Sequence, residues 1–133
     1  MVVGAGGAGK AAALSCTDLG MQTFLANRSR SKAESYANSI GAEYIPLEEI
    51  PDIIKEIDLI VYSLSFKIPV ITSKDLKGKI LFEANYADPQ FANIEDIQYI
   101  GGKYWLYNQA IPAFKIFTGK DPDTKAMRDI MGL

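Results

Sequence analysis

With 133 residues, 48% of them hydrophobic and 23% charged, the chain has the length and apolar content of one domain with a real core, which excludes a disordered tail or a disulfide-stapled miniprotein. Its 14 Lys and Arg against 16 Asp and Glu, and an isoelectric point near 5.1, provide no general basic surface for nucleic acid or for an anionic membrane, so any anion must be bound locally. There is no histidine and only one cysteine, Cys16, which excludes Ser-His-Asp and Cys-His catalysis, a His-ligated or Cys-rich metal site and an internal disulfide.

No apolar run reaches the roughly 20 residues that span a bilayer, and the N-terminus lacks the pattern of a signal peptide, so the expected location is cytoplasmic. Short β-branched runs predict strands at Met1–Val3, Thr23–Ala26, Glu43–Ile45, Leu59–Tyr62, Lys79–Glu83 and Tyr99–Ile100. Helical patterns lie between them, at about Ala8–Leu19, Ser31–Ile40 and Leu47–Ile57, and again at Trp105–Phe117 and Thr124–Met131. Ala33, Tyr36, Ala37 and Ile40 form one apolar stripe, and Gly20 and Gly41 stand where helix C-caps are expected. Cys16 reads as a small apolar residue of the first helix. Strand and helix alternate without a linker or repeat. The expected architecture is a single α/β domain over residues 1–133, three layers and doubly wound, with a mostly parallel sheet and helices on both faces.

Gly4-Ala5-Gly6-Gly7-Ala8-Gly9 satisfies G-x-G-x-x-G between the first strand and an Ala-rich helix. Gly4 would permit the tight turn, Gly6 would let backbone approach a pyrophosphate, and Gly9 would let helix and strand pack closely. The phosphates would rest on the helix N-terminus, over Ala5, Gly7 and Ala8. The same run followed by Lys10 starts a P-loop pattern, but Ala11 stands where that motif needs a hydroxyl for magnesium.

After the second strand, an NAD-selective domain carries an acid for the ribose hydroxyls. Here the chain reads Asn27-Arg28-Ser29-Arg30-Ser31-Lys32, with no acid and three cations. Arg28 can fork onto a 2′-phosphate and stack on adenine, so NADP is favoured over NAD. Arg30 and Lys32 are alternatively solvated charges at a helix start, with Ser29 or Ser31 as N-cap. Asn27-Arg28-Ser29 also spells a glycosylation sequon, which a cytosolic chain would not use.

In these segments the chain resembles the C-terminal, NADP-binding domain of the shikimate dehydrogenase family. The glycine turn and Asn27-Arg28-Ser29 look like that family's glycine loop and Asn-Arg-Thr clamp, with Lys32 as a second basic residue. The tail is more specific: Gly102, Leu106, Gln109-Ala110, Ala113-Phe114 and Phe117-Thr118-Gly119 are similar to G-x-x-M-L-x-x-Q-[GA]-x-x-[AS]-F-x-x-W-T-G, with Trp105 at the Met position. The resemblance implies that Gly102 lies near the nicotinamide, that Gln109 and Tyr86 contribute to the substrate side, and that helices from about residue 105 border the substrate cleft.

It also implies a Rossmann-like fold, reduction of 3-dehydroshikimate to shikimate with NADPH, and a catalytic Lys and Asp in a separate N-terminal substrate domain. No catalytic residue is therefore expected in this chain, and Met1–Val3, short for a central strand, suggests a fragment or truncated enzyme that binds cofactor without turnover. Tyr62-Ser63-Leu64-Ser65-Phe66 departs from the family's Asn-Ala-Thr stretch, Glu83 replaces its Asp, and Pro89 falls one residue late after Tyr86. The competing readings are a quinate/shikimate dehydrogenase, a glutamyl-tRNA reductase and a non-catalytic NADP-sensing module.

Overall fold

A computed structural model describes residues 1–133. Six strands form one sheet in which every paired neighbour is parallel: β1 (Val2–Val3), β2 (Phe24–Ala26), β3 (Glu43–Ile45), β4 (Leu59–Tyr62), β5 (Ile80–Glu83) and β6 (Gln98–Ile100). Their order is β3-β2-β1-β4-β5-β6, so the chain reverses direction across the sheet between β1 and β4. Two residues suffice for the central strand because both neighbours pair with it, Val3 lying opposite Ala26 on one side and Tyr62 on the other. Val2 and Val3 point to opposite faces and both are fully buried.

That alternation divides the interior into two cores. On one face, Val2, Leu25 and Val61 pack with Ala12 and Ala13 of α1 (Gly7–Asp18) and Ala33 and Ala37 of α2 (Arg30–Ile40). On the other, Val3, Ile60, Tyr62 and Leu81 pack with Ile50 and Ile54, which follow β3, and with Leu76 and Phe91. Small alanines on α1 and α2 bring those helices close to the sheet, and Gly41 ends α2 in the left-handed conformation at φ 73°.

Two local differences from the sequence reading have physical causes. The expected helix over Leu47–Ile57 is a chain of short turns, 3₁₀ at Leu47–Glu49, α3 at Ile50–Ile53 and 3₁₀ at Ile54–Glu56. Its apolar spacing is kept, with Ile50, Ile54 and Ile57 buried, but Pro51 offers no N–H and the turn is never continued regularly. A further helix, α4 (Ser73–Leu76), is one turn long and had no expected counterpart; Thr72 and Asp75 close a capping box at its start.

Of the two C-terminal helices, the first begins three residues earlier than the pattern predicts and the second has the predicted bounds. α5 runs Gly102–Thr118 from a Gly101 cap, and α6 (Thr124–Met131) rests on α5. Their outer face stays apolar, Phe117 and Ile130 each being 86% exposed. No helix is long and apolar enough to cross a membrane.

Candidate functional site

The carboxyl ends of β1, β2, β4 and β5 converge at the chain reversal, where α/β sheets of this type form their ligand crevice. Gly4 leaves β1 at φ +100°, a conformation that side chains rarely adopt. Its N–H donates to Ala26 O at 2.8 Å, and a Cβ there would meet Ser63 Oγ at 2.6 Å. At Gly9, a Cβ would fall 1.9 Å from the Gly4 carbonyl oxygen. Gly4 and Gly9 are thus required by the turn and by helix packing, as their positions in the motif imply.

Gly6 and Gly7 differ, because nothing lies within 4 Å of a Cβ on either. Gly6 caps α1 without a side-chain hydrogen bond, and the N–H groups of Gly6, Gly7 and Ala8 have no backbone acceptor. The α1 N-terminus therefore presents exposed donors and the positive end of a helix dipole to open space. Such an arrangement suits an anion approaching closely along backbone.

Asn27 ties the end of β2 to this turn. Its Oδ1 accepts from Ala5 N at 3.2 Å, and its Nδ2 donates to Ser29 O at 3.0 Å. Arg28 is exposed and enters none of the ion pairs, which are Arg30–Glu34, Lys77–Asp96 and Lys115–Asp121. Arg30 instead donates from Nε and from an Nη to the two Glu34 carboxylate oxygens, each at 3.0 Å, which removes it from the cluster of free cations. Ser29 occupies the N-cap position of α2 without a capping hydrogen bond. Lys32 is exposed, whereas Lys10 is half-buried with its ammonium 5.0 Å from the centroid of the Tyr36 ring. Lys10 is therefore only partly solvated, although it lies in the first turn of α1.

On the other side of the reversal, Ser63 follows β4 and donates from Oγ to Val3 O at 2.9 Å. The segment after it is organised by Tyr62, whose fully buried ring stacks edge-on against Phe91 with centroids 4.7 Å apart. Its hydroxyl donates to Phe66 O at 2.6 Å and accepts from Ile68 N at 3.1 Å; burial pushes its pKa up to about 12.

Glu83, at the end of β5, is fully buried. Its carboxylate accepts from Gln90 N at 2.6 Å, Phe91 N at 3.2 Å and Tyr99 Oη at 2.8 Å, so three donors stand in for a cation. Burial, and then the adjacent carboxylate, raise the Tyr99 pKa. This network fixes the loop that carries Tyr86. In the sequence Glu83 stands out only as a replacement for the family's Asp, because an acid at a strand end gives no local sign that backbone amides will converge on it.

Gly102 begins α5 where a Cβ would sit 2.7 Å from Ala84 O and Tyr86 N, so glycine is needed there for packing. Tyr86 and Gly102 share a 330 Å³ pocket with Tyr99, Lys103, Tyr104 and Leu133. Gln109 does not line it; it is exposed on α5, and its Oε1 accepts from Trp105 Nε1 at 2.9 Å. Trp105 packs in turn on Phe82, with ring centroids 5.6 Å apart.

A parallel sheet in this order, with an open glycine turn feeding the first helix, defines a Rossmann-like α/β domain. Residues 1–94 match the shikimate / quinate 5-dehydrogenase family and residues 106–131 match the shikimate 5′-dehydrogenase C-terminal domain. The chain belongs to the shikimate/quinate 5-dehydrogenase family. It is 30% identical over 142 residues to a shikimate dehydrogenase (NADP(+)) of Natronomonas pharaonis, and 31% identical over 145 residues to one of Archaeoglobus fulgidus. Those alignments cover 98% and 97% of this chain and 54% of each relative, so the chain spans about half the length of the curated relatives it matches.

Solved structures give the same fold. A shikimate dehydrogenase of Aquifex aeolicus superposes with a TM-score of 0.81 at 23% identity, covering 96% of this chain and 51% of its own. A Thermus thermophilus shikimate 5-dehydrogenase in complex with NADP(H) and shikimate gives 0.75 at 24%, covering 98% and 52%. A Corynebacterium glutamicum quinate dehydrogenase in complex with NAD gives 0.78 at 24%, covering 99% and 54%.

Proposed function

We propose that these 133 residues are the NADP-binding domain of a shikimate dehydrogenase, which interconverts 3-dehydroshikimate and shikimate in a reducing, cytoplasmic setting. The observation that carries the reading is the pairing of a helix N-terminus with free N–H groups and an exposed, unpaired Arg28, with no acid at the end of β2. Gly6, Gly7 and Ala8 would hold the pyrophosphate through backbone. Asn27 sets the position of the β2 end against that turn, and Arg28, Ser29 and Lys32 would take the 2′-phosphate. A bound NADPH supplies the hydride.

On the substrate side, Tyr86 would reach the substrate from the loop whose Gln90 and Phe91 N–H groups donate to Glu83, and Gly102 lets α5 pack against the backbone of Tyr86. The Trp105 indole orients the Gln109 amide by binding its carbonyl oxygen, leaving its NH₂ to donate to a substrate hydroxyl. The resemblance assigns proton transfer at the reacting hydroxyl to a Lys and an Asp of a separate substrate domain, so this domain alone would bind cofactor without turnover. Calorimetric titration tests the reading. NADP should bind at least tenfold more tightly than NAD, and Arg28→Ala should abolish most of that preference, about 1.4 kcal/mol or more. Equal binding of the two nucleotides would favour the quinate/NAD reading, and failure to bind either would refute the site.

A further inference from the structure

The groove between α1 and α2 has a volume of about 490 Å³ and is lined by Lys10, Ser31, Lys32, Ser35, Tyr36 and Ser39. It contains two cations, three aliphatic hydroxyls and no carboxylate. Lys10 is held there from both ends. Its ammonium stands over the Tyr36 ring, and the Tyr36 hydroxyl reaches back to donate to the Lys10 carbonyl at 2.9 Å.

Neither Lys10 nor Lys32 forms an ion pair, although Arg30, close by in sequence, is fully engaged by Glu34. β1 and β2 are paired neighbours, Val3 opposite Ala26, so the first turns of α1 and α2 leave the same end of the sheet. Ser31 and Lys32 of the groove follow Asn27, Arg28 and Ser29 closely along the chain.

We propose that Lys10 is a specificity-determining residue for a 2′-phosphorylated nucleotide, closing with Lys32 the side of the phosphate grip opposite Arg28. The inference rests on the reading of this crevice as an NADP site. A phosphomonoester carries up to two negative charges and three terminal oxygens, more than one guanidinium can neutralise. The Tyr36 ring restricts the Lys10 ammonium before any ligand arrives, so less side-chain freedom is lost on binding than for an unsupported surface lysine. Free inorganic phosphate has the same chemistry, and the experiment separates the two.

The 133-residue chain is titrated calorimetrically at constant ionic strength with NADP, NAD, 2′,5′-ADP and inorganic phosphate. Lys10→Met keeps the unbranched stem over Tyr36 and removes the charge. It should weaken NADP and 2′,5′-ADP by about fivefold to tenfold while leaving NAD within twofold, and Lys10→Arg should restore most of the loss. Lys32→Met, at an exposed position, should act in the same direction.

Wild-type NADP affinity in Lys10→Met would overturn the inference while leaving the NADP site itself intact. An equal loss for NAD would also overturn it, by placing the ammonium at the pyrophosphate. So would inorganic phosphate binding as tightly as 2′,5′-ADP, which would make the groove a free-phosphate site. Absence of binding by either dinucleotide in the wild type would refute both the site and the role of Lys10.

Discussion

Gly9→Ala sets two effects of one added methyl group against each other. Alanine is the better helix former by about 1 kcal/mol, and position 9 lies inside α1, so local propensity favours the variant. The Cβ, however, would lie 1.9 Å from the Gly4 carbonyl oxygen and 2.7 Å from Ser63 Oγ. The serine can rotate, at the cost of its bond to Val3 O, but the Gly4 carbonyl belongs to a turn anchored by Gly4 N on Ala26 O.

Relief therefore requires α1 to move away by roughly 1.5 Å, which opens the Ala12 and Ala13 contacts with the sheet and costs about 3 to 4 kcal/mol before the propensity gain is subtracted. The net loss should be about 2 to 3 kcal/mol, or a melting temperature lower by roughly 10 °C for a domain of this size. Urea and thermal unfolding followed by circular dichroism measure it directly. Gly7→Ala is the control: its Cβ meets nothing, so stability should stay equal or rise by up to about 1 kcal/mol while NADP affinity falls, because the methyl group occupies the anion's approach. If Gly9→Ala were as stable as wild type, the assignment of Gly9 to helix packing would be wrong.

Three further outcomes follow from hydrogen-bonded side chains, two buried and one at the exposed start of α4. Glu83→Gln places an NH₂ among three donors and should destabilise by about 1 to 3 kcal/mol in urea unfolding; an unchanged midpoint would show that the loop does not depend on the carboxylate. Tyr62→Phe strands the buried Ile68 N–H and should cost about 1 to 3 kcal/mol at neutral pH. Because the Tyr62 pKa is raised in the folded state, its hydroxyl contributes stability that is complete below pH 10 and is lost as pH climbs towards about 12; the phenylalanine variant should lack that alkaline loss. Asp75 behaves oppositely: hydrogen bonds from the Thr72 side chain and backbone hold its carboxyl below the usual 3.8, so its contribution is present above that pH and fades as pH falls below it. Asp75→Asn should flatten this acid limb in pH-dependent melting.

Local pattern alone determined much of this protein. The alternation of apolar runs and helical stripes specified six strands in a wound α/β domain, since a chain of this length can bury those faces only in layers. The glycine spacing after β1, and the absence of an acid after β2, marked a candidate crevice and the sign of charge it would take, because backbone reach and charge type are properties of the residues themselves.

Tertiary structure decided what those residues are free to do. It separated Arg28, left unpaired, from Arg30, which Glu34 captures one helical turn away, although both are arginines in the same tripeptide. It showed Gly4, Gly9 and Gly102 to be needed for packing and Gly6 and Gly7 to be open, and it placed Lys10 on Tyr36, 26 residues on, in a groove formed only when two helices meet. It also turned Glu83 into the hub of a loop. Availability depends on which partner arrives first, and partners distant in sequence meet only in the folded chain.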